Sequence, residues 1–262
     1  MAMAHRFDDG AAYEQFMGRW SRALGQAFLA WAEPPTGARW LDVGCGTGIF
    51  TELIFDTCSP AAVVGIDCSQ AQIEHARRRA LGLRAEFRVA DAQALPLLDA
   101  TFDVAASALA INFIPDRPRA LSEMRRVARP GGLIAVSVWD FAAEVSPSWP
   151  LRRGMRRIGA DVPPIAGTHD STLDALASLF DRAGLEGVAT TSIDVKVAFA
   201  DFDDFWRAQT PHYAPTTKAI AAMTRTERAA LIEAVRTEIA VRADGRIEYS
   251  ARANALRARS PA

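Results

Sequence analysis

Trp40-Leu41-Asp42-Val43-Gly44-Cys45-Gly46-Thr47-Gly48 carries an apolar run into three glycines, and Ile49-Phe50-Thr51-Glu52-Leu53-Ile54 then has the composition of a helix start. Glycine has no Cβ, so such a turn takes unusual dihedrals and lets a ligand sit against the backbone. The helix that follows offers its first N–H groups to whatever lies there. Further on, Val63-Val64-Gly65-Ile66-Asp67 is a second apolar run that ends in a carboxylate. Strand, glycine loop, helix, strand and acid is the layout of a nucleoside-binding βαβ unit, with the acid on the ribose hydroxyls. The dinucleotide fingerprint G-x-G-x-x-G places its third glycine where this chain has Ile49, which disfavours a nicotinamide cofactor.

With Asp42 ahead of it, the loop reads D-x-G-x-G-x-G and resembles motif I of the class I S-adenosylmethionine (SAM) methyltransferases. The resemblance implies that Asp42, Gly44, Cys45, Gly46, Thr47 and Gly48 approach the methionine part of SAM and that Asp67 holds its ribose. It extends the cofactor set to Cys68, Ser69 and Gln72 after the second strand. Asp91, with Ala92 and Gln93, follows the short strand Phe87–Ala90 and is expected against the adenine amino group. Ser107 and Leu109, around the end of the strand Phe102–Ser107, complete the set. Ahead of the loop, Tyr13-Glu14-Gln15-Phe16-Met17-Gly18-Arg19-Trp20 is similar to a segment that closes over SAM in many small-molecule methyltransferases. Tyr13 and Arg19 are the candidates there, although Arg19 equally reads as a solvated helix charge.

The 262 residues are half hydrophobic, enough for a sizeable core, and the net charge of −1 gives no electrostatic footprint for nucleic acid. Three cysteines without ligand spacing suggest neither a disulfide framework nor a metal site. The polar start lacks the apolar core of a signal peptide, and no run approaches the length of a membrane span. These features predict a cytoplasmic protein.

Along the chain, Phe16, Trp20, Leu24, Phe28 and Trp31 keep helical spacing, and Ser69 is placed to cap a helix running to about Leu81. Arg119–Ala128 reads as a helix, Arg129-Pro130-Gly131-Gly132 as the turn closing it, and Leu133–Trp139 as a buried fifth strand. The block Arg125–Gly132 looks like the R-V-x-x-P-G-G of the same family. Beyond it, 140–170 is irregular and proline-bearing, 173–183 helical, 188–199 alternating, 201–241 mostly helical, and 246–252 alternating again. The fold expected is α/β: a Rossmann-like, seven-stranded, mostly parallel sheet with helices on both faces, an antiparallel late strand and helical lid insertions. We expect one domain: a helical cover at 1–36, a SAM-binding core at 37–140, and insertions on the acceptor side at 141–170 and 201–243. Segments 171–200 and 244–258 complete the core.

The acceptor half is less legible. There is no G-x-S-x-G and no H-E-x-x-H. Ser107-Ala108-Leu109-Ala110 stands where methyltransferases of exocyclic DNA amines carry an N/D-P-P-Y-type tetrad. Relatives often have a polar residue at Ala108 and a histidine at Asn112, so a general base from this loop is not expected. His169, His212 and Tyr213 are the remaining weak catalytic candidates. The basic set Arg152-Arg153 and Arg156-Arg157 is either a solvated face or a contact for an anionic acceptor. The resemblance is to the branch containing the ubiquinone- and menaquinone-biosynthesis methyltransferases. It implies methyl transfer from SAM, leaving S-adenosylhomocysteine, to a small-molecule acceptor, with O- or C-methylation favoured. A non-catalytic SAM-binding module of the same fold is the alternative.

Overall fold

In the computed structural model, which describes residues 9–79, 84–211 and 214–262, the apolar runs pair into one sheet. Its strands are β1 (Arg39–Val43), β2 (Ala62–Asp67), β3 (Glu86–Val89), β4 (Phe102–Ala108), β5 (Ala128–Trp139), β6 (Glu186–Phe199) and β7 (Ile247–Arg259), in the order β3-β2-β1-β4-β5-β7-β6. β1 to β5 pair in parallel; β7 runs antiparallel to both β5 and β6. The chain reverses its direction of travel across the sheet between β1 and β4, where Asp42 lies level with Gly65 on one side and Ala106 on the other. Ligands of open parallel sheets bind at the carboxyl ends of the strands beside such a reversal.

The helices are α1 (Gly10–Ala32), α2 (Ile49–Cys58), α3 (Gln70–Arg78), α4 (Arg117–Val127), α5 (Trp149–Arg157), α6 (Leu173–Arg182), α7 (Phe202–Gln209), α8 (Pro215–Ala222) and α9 (Arg225–Glu238). Their ends follow local chemistry. Asp9 accepts from Ala12 N at the start of α1, Ser69 caps α3, and Thr172 caps α6. Thr224 and Glu227 exchange side-chain and backbone bonds ahead of α9, the reciprocal box their spacing predicts. The expected turn at Arg129–Gly132 is instead part of β5, which begins at Ala128. The register slips between Phe102 and Val104 opposite it, and Gly131 (φ +71°) donates to the Ser260 carbonyl. A bulge thus replaces the separate turn.

Two apolar clusters sandwich the parallel strands. Leu41, Ile134, Leu121 and Phe180 belong to one, and Trp40, Leu133, Phe50 and Ile73 to the other. A third gathers Trp20 and Leu24 of α1, Leu151 and Met155 of α5, Phe205 of α7, Ile220 of α8 and Leu231 and Val235 of α9 against Trp139, Val197 and Tyr249. The late helices therefore share a core with the first. α1 also lies hard on α2: a Cβ at Gly25 would fall 2.5 Å from Leu53 Cδ1. No helix among the described residues is long and apolar enough to cross a membrane.

Candidate active site at the glycine loop

β1 ends in Gly44, Gly46 and Gly48, which hold φ of +75°, +52° and +84°. Gly44 and Cys45 both donate to the Ile66 carbonyl, at 2.8 and 2.9 Å, which fixes the loop to β2. Gly44 has a second reason to lack a side chain, because a Cβ there would lie 2.3 Å from the Ala110 Cβ. Gly48 caps α2 without any side-chain bond, leaving the first N–H groups of that helix to water or a ligand.

Two acids flank the loop. Asp67, half-buried at the end of β2, accepts from Gly46 N at 3.0 Å and from Ser69 N at 2.9 Å. Asp42 is fully buried, takes Thr51 Oγ1 at 2.6 Å on one oxygen, and has no hydrogen-bond partner among the described residues on the other. Burial pushes its carboxyl up to about 7; the Thr51 hydrogen bond works against the shift and the charge of Asp67 adds to it. Burial likewise raises the Cys45 thiol, with smaller contributions from Asp42 and Asp67.

Beside the loop is a cleft of about 420 Å³, part of it open to solvent. The loop from Gly44 to Thr47 and Ile49 and Phe50 form one wall. Tyr13, Ser21, Leu24 and Gly25 of α1 form the cover, and Ala108, Leu109 and Ser137 lie at the ends of β4 and β5. Tyr13 and Ser21 share a hydrogen bond between their hydroxyls at 3.3 Å. Thr47 Oγ1 and Ser137 Oγ are buried without a partner among the described residues. A native interior leaves few polar groups in that condition, and a ligand in the cleft would relieve it.

Residues 41–136 match the family described as "Methyltransferase domain". An uncharacterized protein of Mycobacterium tuberculosis is 31% identical over 214 residues, covering 76% of this chain and 72% of the relative. The chain belongs to the class I SAM-dependent methyltransferases. A malonyl-[acyl-carrier protein] O-methyltransferase of Serratia marcescens is 29% identical over 164 residues, 62% of this chain and 63% of that one. Among solved structures, phosphoethanolamine N-methyltransferase 2 of Haemonchus contortus, in complex with SAM, shares the fold. Its TM-score is 0.60 at 17% identity, with 100% of this chain and 59% of that chain covered. The cofactor of this methyltransferase is SAM, and a glycine cradle, an uncapped helix start and orphaned hydroxyls beside an acid at the end of β2 fit such a zwitterionic nucleoside.

The methyltransferase brings some expected residues to the cleft and holds others elsewhere. Tyr13, Gly44, Cys45, Gly46, Thr47 and Leu109 line it, the last at φ +62°, whereas Gly48 faces Ala76 and Phe87, and Asp42 and Asp67 flank the loop outside the lining. Cys68 is exposed beside Asp67, while Ser69 and Gln72 are buried at the start of α3. Asp91 is exposed at the end of β3, where its carboxylate takes both the backbone N and the side-chain amide of Gln93; Ala92 is buried in the core. Ser107 is not in the cleft lining, although its hydroxyl, like those of Thr47 and Ser137, is buried without a partner among the described residues. Ala108 pairs with Ser137, so Ser107, one residue earlier, points to the opposite face of the sheet. Arg19 does not line the cleft either; it makes a two-point pair with Asp204 of α7 at 2.8 and 2.9 Å and lies 5.0 Å over the Phe199 ring. His169 is exposed on a 3-10 turn, next to Asp170, which pairs with Arg117 at 2.5 Å. His212 and Tyr213 lie outside the described residues.

Two residues stand out that the sequence did not assign to the site. Ser137 sits in the otherwise apolar stretch Leu133–Trp139, and that single hydroxyl was the available signal. Asn112, on the turn after β4, is 2% exposed, yet neither amide atom has a partner among the described residues. Gly167 closes over its carbonyl so tightly that a Cβ there would lie 2.3 Å from the oxygen.

Proposed function

We propose that this cleft transfers a methyl group from SAM to oxygen or carbon of a small-molecule acceptor held under 141–170 and 201–243. The observation that carries the reading is the shared core. Tyr13 and Leu109, which line the cleft, pack against the same apolar cluster as α5 and α7 to α9, so the late helices border the cofactor's open side. In this reading Asp67 accepts from the ribose hydroxyls, Asp91 meets the adenine, and the backbone from Gly44 to Gly48 lies along the methionine portion. The insertions then serve as a lid on one domain whose core is 37–140, 171–200 and 244–258.

SAM, when bound, supplies a methyl group already activated on a sulfonium, so the chain's own task is alignment and exclusion of water. Among the described residues the cleft lining holds no His, Lys or Arg. That suits an acceptor whose oxygen or carbon is acidic enough to need little help from a base. The Serratia relative, an O-methyltransferase by name, supports oxygen as the receiving atom.

Isothermal titration with S-adenosylhomocysteine tests the cofactor half. We expect binding that is lost when Asp67→Ala is combined with Gly46→Val, and undiminished binding in that variant would refute the assignment. Methyl transfer from labelled SAM to a panel of quinols, phenols and carboxylates tests the acceptor half. Transfer to nucleic acid instead of these would overturn it.

A further inference from the structure

Four arginines ride on α5, and three of them have an evident role. Arg156 forms a two-point ion pair with Glu144. Arg157 reaches Glu238 at 3.1 Å and Thr237 Oγ1 at 2.9 Å, and Arg153 lies 4.6 Å over the Trp149 ring. Arg152 differs. It is half-buried, and among the described residues no carboxylate lies within ion-pair distance. Its Nη1 donates to the Pro163 carbonyl at 2.7 Å and to Thr216 Oγ1 at 3.4 Å, while Nε and Nη2 donate to no described residue. Burial weakens its hold on its proton, the charge of Arg156 weakens it further, and Glu144 offsets only part.

Apart from the distant charge of Glu144, the surroundings add no compensation. The contact with Thr216 sets the guanidinium at the first turn of α8, an end that carries positive partial charge and has no side-chain cap. A half-buried cation without a carboxylate in ion-pair contact is costly. Other arginines of similar depth have structural work: Arg228 closes the last carbonyls of α8, and Arg79 joins Glu14 to Glu52. The placement is also informative. Leu151 and Met155, flanking Arg152 on α5, are buried in the cluster on which the cleft residues Tyr13 and Leu109 pack. At the far end of the segment that begins with Pro163, Gly167 sits on the orphaned Asn112.

We propose that Arg152 is the anchor for the carboxylate of an acidic acceptor, an inference that rests on the reading of the cleft as a methyl-transfer site. Its free donors form a fork that matches a carboxylate, and Thr216 Oγ1 stands beside it. One guanidinium balances one negative charge; a phosphate dianion would leave a second charge unmatched in a half-buried place. The anchored carboxylate is the handle and not the methylated group, because pairing with a guanidinium draws electron density from its oxygens. The acceptor is thus at least bifunctional, with its receiving oxygen or carbon displaced from the acid.

The test titrates the full chain, saturated with S-adenosylhomocysteine, with benzoate, monoethyl malonate and inorganic phosphate at low ionic strength. The wild type, Arg152→Gln, Arg152→Lys and the exposed control Arg153→Gln are compared. We expect at least one carboxylate to bind the wild type, at least about tenfold weaker binding in Arg152→Gln, partial recovery in Arg152→Lys, and no change in Arg153→Gln. Equal binding by wild type and Arg152→Gln, no carboxylate binding by the wild type, or preference for phosphate would each overturn the proposal. If Arg152→Gln does not fold, Arg152→Lys decides, since a point charge without the fork must bind more weakly. The S-adenosylhomocysteine titration that precedes these steps reports separately on the cofactor site, so its failure would fall on that reading alone.

Discussion

Asp42→Asn gives the most quantitative prediction. The native carboxyl is fully buried, has one oxygen on Thr51 and one without a partner, and titrates at about 7 against an ordinary 3.8. Between those values the folded chain holds a proton that the unfolded chain has released. Stability from this group is therefore complete below the ordinary value and is lost as pH rises through about 7. At about 1.4 kcal/mol per tenfold change, the integrated loss is on the order of 4 kcal/mol, roughly half of it between pH 5 and 7. Asparagine keeps the shape and cannot ionise, so its stability lacks that slope. Urea unfolding at pH 5, 6, 7 and 8 measures the difference directly. The stability of Asp42→Asn relative to wild type should rise by about 2 kcal/mol from pH 5 to 7 and then level off. Two parallel profiles would mean that Asp42 is ionised in the native protein across the range, and the argument from its burial would fail.

Other substitutions probe the same neighbourhood. Gly44→Ala meets Ala110 as well as an unfavourable φ, whereas Gly46→Ala meets nothing within 4 Å; chemical denaturation should show about 1–2 kcal/mol lost for Gly46→Ala and clearly more for Gly44→Ala. Asn112→Leu keeps the branched shape in a larger side chain and removes two unsatisfied polar atoms. Calorimetry should find the variant more stable by about 1–3 kcal/mol, with slower methyl transfer if the amide meets the acceptor. Arg19→Ala should leave S-adenosylhomocysteine affinity within about twofold, because the guanidinium is held by Asp204. A double-mutant cycle on that pair, whose side chains are 48% and 21% exposed, should couple by less than about 1 kcal/mol.

The cofactor half of this fold was legible because backbone chemistry dictates it. Three glycines spaced two apart have few uses other than a ligand-bearing turn, and an acid ending an apolar strand has to be carried to the sheet's rim. The count of seven strands, five joined by helices and two late alternating ones, was legible too, whereas their order across the sheet is a finding of the structure. Side chains that act through partners distant in sequence were not legible. Arg19 read equally as a cofactor contact and as a solvated helix charge, and neither reading foresaw its pairing with Asp204, 185 residues away. Ser107 entered the cofactor set through the family resemblance, but strand periodicity gives no absolute phase, and the pairing of Ala108 with Ser137 turns its side chain to the face opposite Ala108. The Pro130-Gly131-Gly132 signal marked an irregularity correctly, yet composition alone does not separate a turn from a bulge.

The position of β7 has a consequence for how the protein is made. It lies between β5 and β6, and β6 has no other neighbour in the sheet. All strands of the cofactor half have emerged by Trp139, so that half can assemble while synthesis continues. β6 spans fourteen residues and stays without a partner until 247–259 arrive. In the interval the rim of β5 and the whole of β6 are open edges, the feature that invites pairing between chains. The ribosome thus delivers the cofactor half before β6, and β7 closes the open edges of β5 and β6 when it arrives.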